Sequence, residues 1–314
     1  MKLKVLYDIW LLMNKRLHLL FFLVLSCLTY AQQESQYTQY MYNTITINPA
    51  YAGSRGVVSV FALHRNQWIG LDGAPVTNNV SITTPMGDSN FGAGLSFVND
   101  HIGPTTTNSI AADLAYIIPI SKKYKLSFGV KATAHLFHLD VGKLNLYNLD
   151  DPEFQNLRSE FSPNLGTGLY FFSDQSYIGL AVPNFFETVR YDDNTISINQ
   201  QKMHYYFMAG HVFTSNENLK FKPAFITKIV EGAPLQLDIT ANVLLHEKVT
   251  LGVAYRWEAA LSGLIGFQIS NSWFIGYGYD RETTRLSNYN SGSHELFLRY
   301  EFKKKNRITS PRFF

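Results

Sequence analysis

Nine histidines, one cysteine and a few clustered carboxylates are the residues of this chain that could do chemistry. A zinc hydrolase of the commonest kind needs His-Glu-x-x-His on a helix, and no such spacing occurs. His64, His101 and His135 are the histidines a fold could gather around a metal, yet none sits in a ligand motif. Acyl transfer needs a nucleophile beside a base. Asp100-His101 and Ser293-His294-Glu295 are the nearest approaches, and both lack a nucleophile context such as Gly-x-Ser-x-Gly. Asp150, Asp151 and Glu153 are acidic enough for calcium, but their spacing is not that of a calcium loop. Gly92-x-Gly94 is followed by no helix, so it is no phosphate cradle; glycines inside a strand mark a bend or a close approach of another backbone. The basic run Lys303-Lys304-Lys305 with Arg307 comes without an aromatic platform, which leaves a solvated tail rather than a nucleic-acid contact. The expectation is a non-enzymatic chain with no cofactor, no metal and no nucleic-acid partner.

The elements that carry these residues are strands. Tyr124, Leu126, Phe128, Val130, Ala132 and Ala134 alternate with Lys125, Ser127, Gly129, Lys131 and Thr133. A period of two sends the two sets to opposite faces of a strand and would smear both around a helix. Leu235 to Val243 repeat the pattern against Gln236, Asp238, Thr240 and Asn242, and Val249 to Trp257 repeat it against Thr250, Gly252, Arg256 and Glu258. Fourteen strands are expected, near 56–66, 76–84, 90–99, 108–120, 123–137, 163–173, 176–183, 203–214, 218–230, 233–245, 247–258, 260–270, 272–281 and 293–303. Tight links at 121–123, 244–247 and 270–272 contrast with long polar ones at 138–162, 184–202 and 281–292. Short turns at one end and long loops at the other are what an outer-membrane barrel shows.

Composition separates this barrel from a soluble sandwich. The non-apolar face is mostly Gly, Ser, Thr, Asn and Gln, and only 16% of residues are charged against 15% aromatic. A solvated exterior of this size would carry more charge, whereas a lumen would not. The fold class expected is therefore all-β, a transmembrane antiparallel up-and-down β-barrel of about 14 strands, wide enough to hold a plug or a short peptide.

The N-terminus reads as an address. Lys15-Arg16 precede the apolar stretch from Leu17 to Leu28, and Thr29-Tyr30-Ala31 makes a small-x-small cut site before Gln32, the order of a secretory signal peptide. Met13 opens this unit, which leaves residues 1–12 as an upstream start extension. Cys27 falls inside the apolar stretch, so the mature chain has no cysteine with which to form a disulfide. The organisation expected is a leader over 1–31, an N-terminal periplasmic segment over 32–55, a barrel over 56–303 and a basic, aromatic tail over 304–314.

Three boxes go beyond a generic barrel: Ile47-Asn48-Pro49-Ala50-Tyr51-Ala52-Gly53, then His64-Arg65-Asn66-Gln67-Trp68, and the end Ser310-Pro311-Arg312-Phe313-Phe314. In this order, with the leader and the strands, they resemble the PorP/SprF family of type IX secretion system membrane proteins over essentially the whole mature chain. The resemblance implies an outer-membrane role in protein secretion in a Gram-negative bacterium. It allows two kinds of partner besides outer-membrane lipid and lipopolysaccharide. One is the C-terminal sorting domain of a secreted adhesin of the gliding-motility type; the other is the periplasmic lipoprotein ring with other secretion components. A porin or small-solute transporter is the alternative that the barrel alone suggests. The motif residues Asn48, Pro49, Tyr51, Gly53, Arg65, Gln67, Trp68, Pro311, Arg312, Phe313 and Phe314 are then structural or partner-binding. Asn48-Pro49 starts a turn and Gly53 permits a bend, so this segment tucks into or caps the periplasmic mouth. Arg65 is expected to pair with lumen carboxylates, and Trp68 to join an interfacial aromatic belt.

Overall fold

The computed structural model describes residues 40–302 apart from 88, 144–158, 187 and 191–198. Its strands are β1 (Val58–Asn66), β2 (Val76–Pro85), β3 (Phe91–Ile102), β4 (Thr105–Pro119), β5 (Lys125–Leu139), β6 (Ser159–Phe172) and β7 (Ser176–Val182). They continue with β8 (Thr188–Arg190), β9 (Asn199–Gln201), β10 (His204–His211), β11 (Phe213–Asn216), β12 (Leu219–Val230) and β13 (Gln236–Leu245). The last are β14 (Val249–Arg256), β15 (Ala260–Gln268), β16 (Trp273–Glu282) and β17 (Ser293–Phe302). β8 and β9 pair only with each other. All the rest form one antiparallel wall in chain order, closed where β1 meets β17 from Val58↔Phe302 to Asn66↔His294. β10 joins β7 to β12, and β11 continues β10 after a break at Val212, so the wall has fourteen staves. Closure leaves no edge to aggregate or to strand polar backbone in lipid.

The burial pattern is inverted relative to a soluble protein. Outward side chains such as Val80, Leu165 and Val253 are apolar and exposed, while inward Asn79, Lys222, Asn242 and Glu295 are polar and buried. That is the pattern of a barrel standing in lipid. Aromatic pairs ring the end that holds the start of β1 and the end of β17: Phe91–Tyr116 at 5.0 Å, Tyr124–Phe171 at 5.2 Å and Trp273–Tyr300 at 4.5 Å. Every connection at this end is short, whereas the other end mixes short turns, such as Gly103-Pro104, with long loops. In the β13–β14 turn, at the first of these ends, His246 and Glu247 both have positive φ, and Lys248 N donates to Leu245 O at 2.9 Å. Two successive left-handed residues are what a two-residue hairpin needs to match strand twist. The short turns, with the start of β1 and the end of β17, mark their end as the periplasmic end.

All fourteen expected strands are present. β4 and β6 start earlier than the alternation indicates, at Thr105 and Ser159, because β3–β4 turns through Gly103-Pro104 alone and β5 pairs with β6 up to His138↔Ser159. The strand expected over 203–214 is broken instead of continuous: Val212 turns inward and donates its N–H to Gln175 O at 2.7 Å.

The larger correction concerns the segment over 32–55, expected in the periplasm and tucked into or capping the barrel's mouth. From Tyr40 on it lies inside the barrel, wound as three short 3-10 turns, Tyr40–Tyr42, Thr44–Thr46 and Pro49–Tyr51, and almost every side chain in it is buried. Together with inward aromatics of the wall it makes the molecule's main apolar core. Residues 32–39, the leader with Cys27, the Asp150-Asp151-Glu153 cluster, the basic run and the tail with Pro311, Arg312, Phe313 and Phe314 lie outside the described residues.

Candidate functional site: the occupied lumen

The inner segment is held by the Asn48 to Gly53 box. Asn48 caps the third 3-10 turn: its Oδ1 accepts from Ala50 N at 3.0 Å, and Pro49 supplies a pre-set φ at the first position. Its Nδ2 donates outward to the carbonyls of Leu169 on β6 and Leu180 on β7, at 2.9 and 3.4 Å. One fully buried amide therefore ends the local turn and ties it to two strands. Tyr51 packs edge-on against Tyr170 at 5.6 Å, and its hydroxyl accepts from Arg55 Nη1 at 3.1 Å. Arg55 also binds Glu301 near the end of the last strand, with Nε to Oε1 at 2.8 Å. Gly53 has φ +72° and donates its N–H to Thr83 Oγ1 at 2.8 Å.

The wall facing this box is glycine. A Cβ on Gly92 would lie 2.1 Å from Ala52 O, one on Gly129 2.2 Å from Ala50 N, and one on Gly168 2.1 Å from Asn48 Oδ1. β3, β5 and β6 thus present bare backbone where the inner segment lies against them. This is the close approach that the Gly-x-Gly spacing in β3 announces.

Further up the lumen the contacts become polar. Asn43 donates to Asn79 Oδ1 at 2.5 Å and accepts from Ser81 Oγ at 2.8 Å, both on β2. Lys131 Nζ donates to the carbonyls of Ile45 and Thr46, each at 3.0 Å, and lies 3.4 Å from Asp113. These carbonyls end a 3-10 turn, so the ammonium satisfies acceptors the turn cannot. Tyr42 stacks on Phe297 at 5.0 Å, with Lys222 Nζ 5.4 Å from its ring centre and Arg299 Cζ 5.9 Å from it.

The second box secures the seam. Arg65 on β1 binds Asp280 on β16 at 2.7 Å and Glu295 on β17 at 2.9 Å, all three buried in the lumen as expected for a guanidinium among carboxylates. Trp68 departs from expectation. It is no belt residue: it sits in the β1–β2 loop with φ +51°, its indole N–H donating to Glu282 Oε1 at 2.8 Å and its backbone N–H to Ser293 Oγ at 3.1 Å. An indole donor aimed at a carboxylate suits a loop clasp better than a lipid boundary, where that group would face headgroups. Ile69 N to Gly292 O at 2.9 Å and Ser291 N to Ile69 O at 2.8 Å continue the clasp, and Gln67 N closes the loop base on Pro75 O at 2.9 Å.

The candidate catalytic and metal residues do not converge. His64 faces outward while His135 faces the lumen, hydrogen-bonded to Ser109 Oγ at 2.7 Å. Strand alternation splits Ser293 and Glu295, inside, from His294, outside. Asp100 accepts from Thr77 Oγ1 at 2.6 Å instead of pairing with a nucleophile. Among the described residues no group of three His, Cys, Asp or Glu side chains could hold a metal. Sequence reading missed Asn43, Lys131 and the glycine wall as contacts of the inner segment. The available signal was modest: glycine and lysine on the polar face of strands that otherwise carry Ser and Thr there.

Among curated proteins none matches this chain. Solved structures similar to it include the toluene transporter TbuX of Ralstonia pickettii, 12% identical, covering 82% of this chain and 92% of that one with a TM-score of 0.49. The outer membrane protein Omp33 of Acinetobacter baumannii is 8% identical, with 78% of this chain and 98% of that one covered and a TM-score of 0.46. The family model described as type IX secretion system membrane protein PorP/SprF matches residues 29–300. That stretch takes in both the Asn48 to Gly53 box inside the lumen and the Arg65 to Trp68 box at the seam, and on it the chain belongs to the PorP/SprF family of type IX secretion system membrane proteins.

Proposed function

We propose that this barrel is a non-catalytic component of type IX secretion in the outer membrane, which binds or anchors a secreted surface adhesin through the adhesin's C-terminal sorting domain. The leader over residues 1–31 delivers it and is removed after Ala31. The observation that carries the reading is the family match taken together with a lumen filled by the chain's own residues 40–56. A solute porin needs a through-path. Here the inner segment lies against glycines of β3, β5 and β6, with its backbone at the first two and the Asn48 side chain at the third, without room for a methyl group. The filled lumen favours a protein that presents surfaces at its two mouths over one that passes solutes. Attachment to the periplasmic lipoprotein ring is the second partner that family membership suggests, at the end bearing Lys122, Lys123 and Lys248.

The test is affinity purification of the tagged barrel in mild detergent from cells that secrete a sorting-domain adhesin, with a sorting-domain deletion as control. Recovery of the adhesin only when its sorting domain is present supports the proposal. Recovery of the bare barrel from both strains overturns it, and recovery of ring components alone shifts the assignment to the periplasmic link.

A further inference from the structure

The outward faces of β1–β4 carry a hydrogen-bonded row of polar side chains where a barrel in lipid should be apolar. His64 Nδ1 meets Asn78 Oδ1 at 2.8 Å, Asn78 Nδ2 donates to Asn99 Oδ1 at 3.3 Å, and Asn99 Nδ2 donates to Asn108 Oδ1 at 2.8 Å. The four are direct cross-strand partners, His64↔Asn78, Asn78↔Asn99 and Asn99↔Asn108. On the neighbouring strand β17 the outward His294 bonds the hydroxyl of Tyr277.

Height decides what this row meets. With strands tilted by about 40° each residue climbs about 2.5 Å along the axis. His64 is six residues above the periplasmic end of β1 and Asn78 seven above that of β2, hence about 15 and 18 Å up. Across the barrel the exposed Ile229 on β12 and Leu235 beside β13 are each ten residues above the periplasmic ends of their strands, about 25 Å up, and still apolar. The apolar band of such barrels is about 25 Å tall. The low end of the row therefore falls inside the depth that the opposite flank gives to acyl chains. Amide groups in hydrocarbon cost free energy that their mutual hydrogen bonds recover only in part.

We infer that the β1–β4 flank draws outer-leaflet lipid headgroups down to His64 and Asn78, so that the bilayer is thinned beside the seam where β1 meets β17. A short apolar span is accommodated by local thinning at modest cost. The row is amide and imidazole throughout, so the match is to the hydrated polar layer rather than to one particular charged group.

Two nitroxide probes test this in dioleoyl phosphatidylcholine vesicles, on the full chain with Cys27, its one cysteine, replaced by Ser. Val80 lies on the same face as Asn78, five residues above the end of β2, and Val253 faces lipid from β14, four residues above its end. The two are at nearly equal height, and both are exposed. The expected result is at least a two-fold higher ratio of nickel-complex to oxygen collisions at Val80→Cys than at Val253→Cys. The difference should shrink in shorter-chain lipid and in an Asn78→Leu, Asn99→Leu background, with heat-dependent gel migration confirming a folded barrel. Equal ratios at the two sites in the parent overturn the inference. So does exclusion of both reagents at Val80, which would mean that protein covers this flank. Because no adhesin or ring component is present, the outcome is independent of the proposed function.

Discussion

Asn48 Oδ1 occupies the space where a side chain on Gly168 would begin: a Cβ built there would be 2.1 Å away. That amide spans the whole design of the lumen, since it caps a turn within the inner segment and reaches carbonyls of Leu169 and Leu180 on two strands of the wall. The packing of the lumen rests on whether that segment stays where it is.

Replacing Gly129 by Ala tests the packing. The new Cβ would meet backbone atoms of Pro49 and Ala50, which cannot swing aside as a flexible side chain can. Overpacking of this kind costs about 1–3 kcal/mol. A lower midpoint in the shift between folded and unfolded gel migration on heating is expected, with Gly263→Ala, where nothing lies within 4 Å, as the near-neutral control.

Full-length protein in planar bilayers should show no steady conductance, because residues 40–56 fill the path. Deleting 40–52 should open a lasting pore. A conducting full-length barrel would return the solute-carrier reading to first place.

Arg65 is a buried cation shared by two carboxylates, so Arg65→Met leaves Asp280 and Glu295 facing each other without it. Breaking one side of a buried pair costs about 3–5 kcal/mol. Urea unfolding should show that loss. Adding Asp280→Asn and Glu295→Gln should recover part of it, since the amides no longer need a counter-charge.

Trp68→Phe keeps the ring and removes the indole donor to Glu282. A hydrogen bond to a charged group contributes about 1.5–3 kcal/mol when buried, and less at a half-buried loop. The barrel's thermal midpoint should hardly move, while limited proteolysis of the 67–75 loop should accelerate several-fold.

How far these features were legible in the chain follows from the range of the forces involved. Period-two alternation is a local property, and it placed all fourteen strands and told lumen from lipid through the Ser, Thr, Asn and Gly content of one face. The Asn-Pro turn, the bend at Gly53 and a guanidinium for lumen carboxylates were likewise readable from neighbouring residues. That the segment tucks into or caps the mouth was legible from its turn and bend, but its depth in the lumen and its partners there were not. Asn48 meets Leu169 across 121 residues and Arg55 meets Glu301 across 246, and only closure of the wall around the segment brings those partners together. Trp68 failed as a belt residue for the same reason: its carboxylate, Glu282, is 214 residues away on β16, one strand beyond β17, and comes within reach only when the first and last staves pair. Side-chain direction is set by the pleat of each strand and is written locally. Which strands stand opposite one another is set by closure and register, and that belongs to the tertiary structure alone.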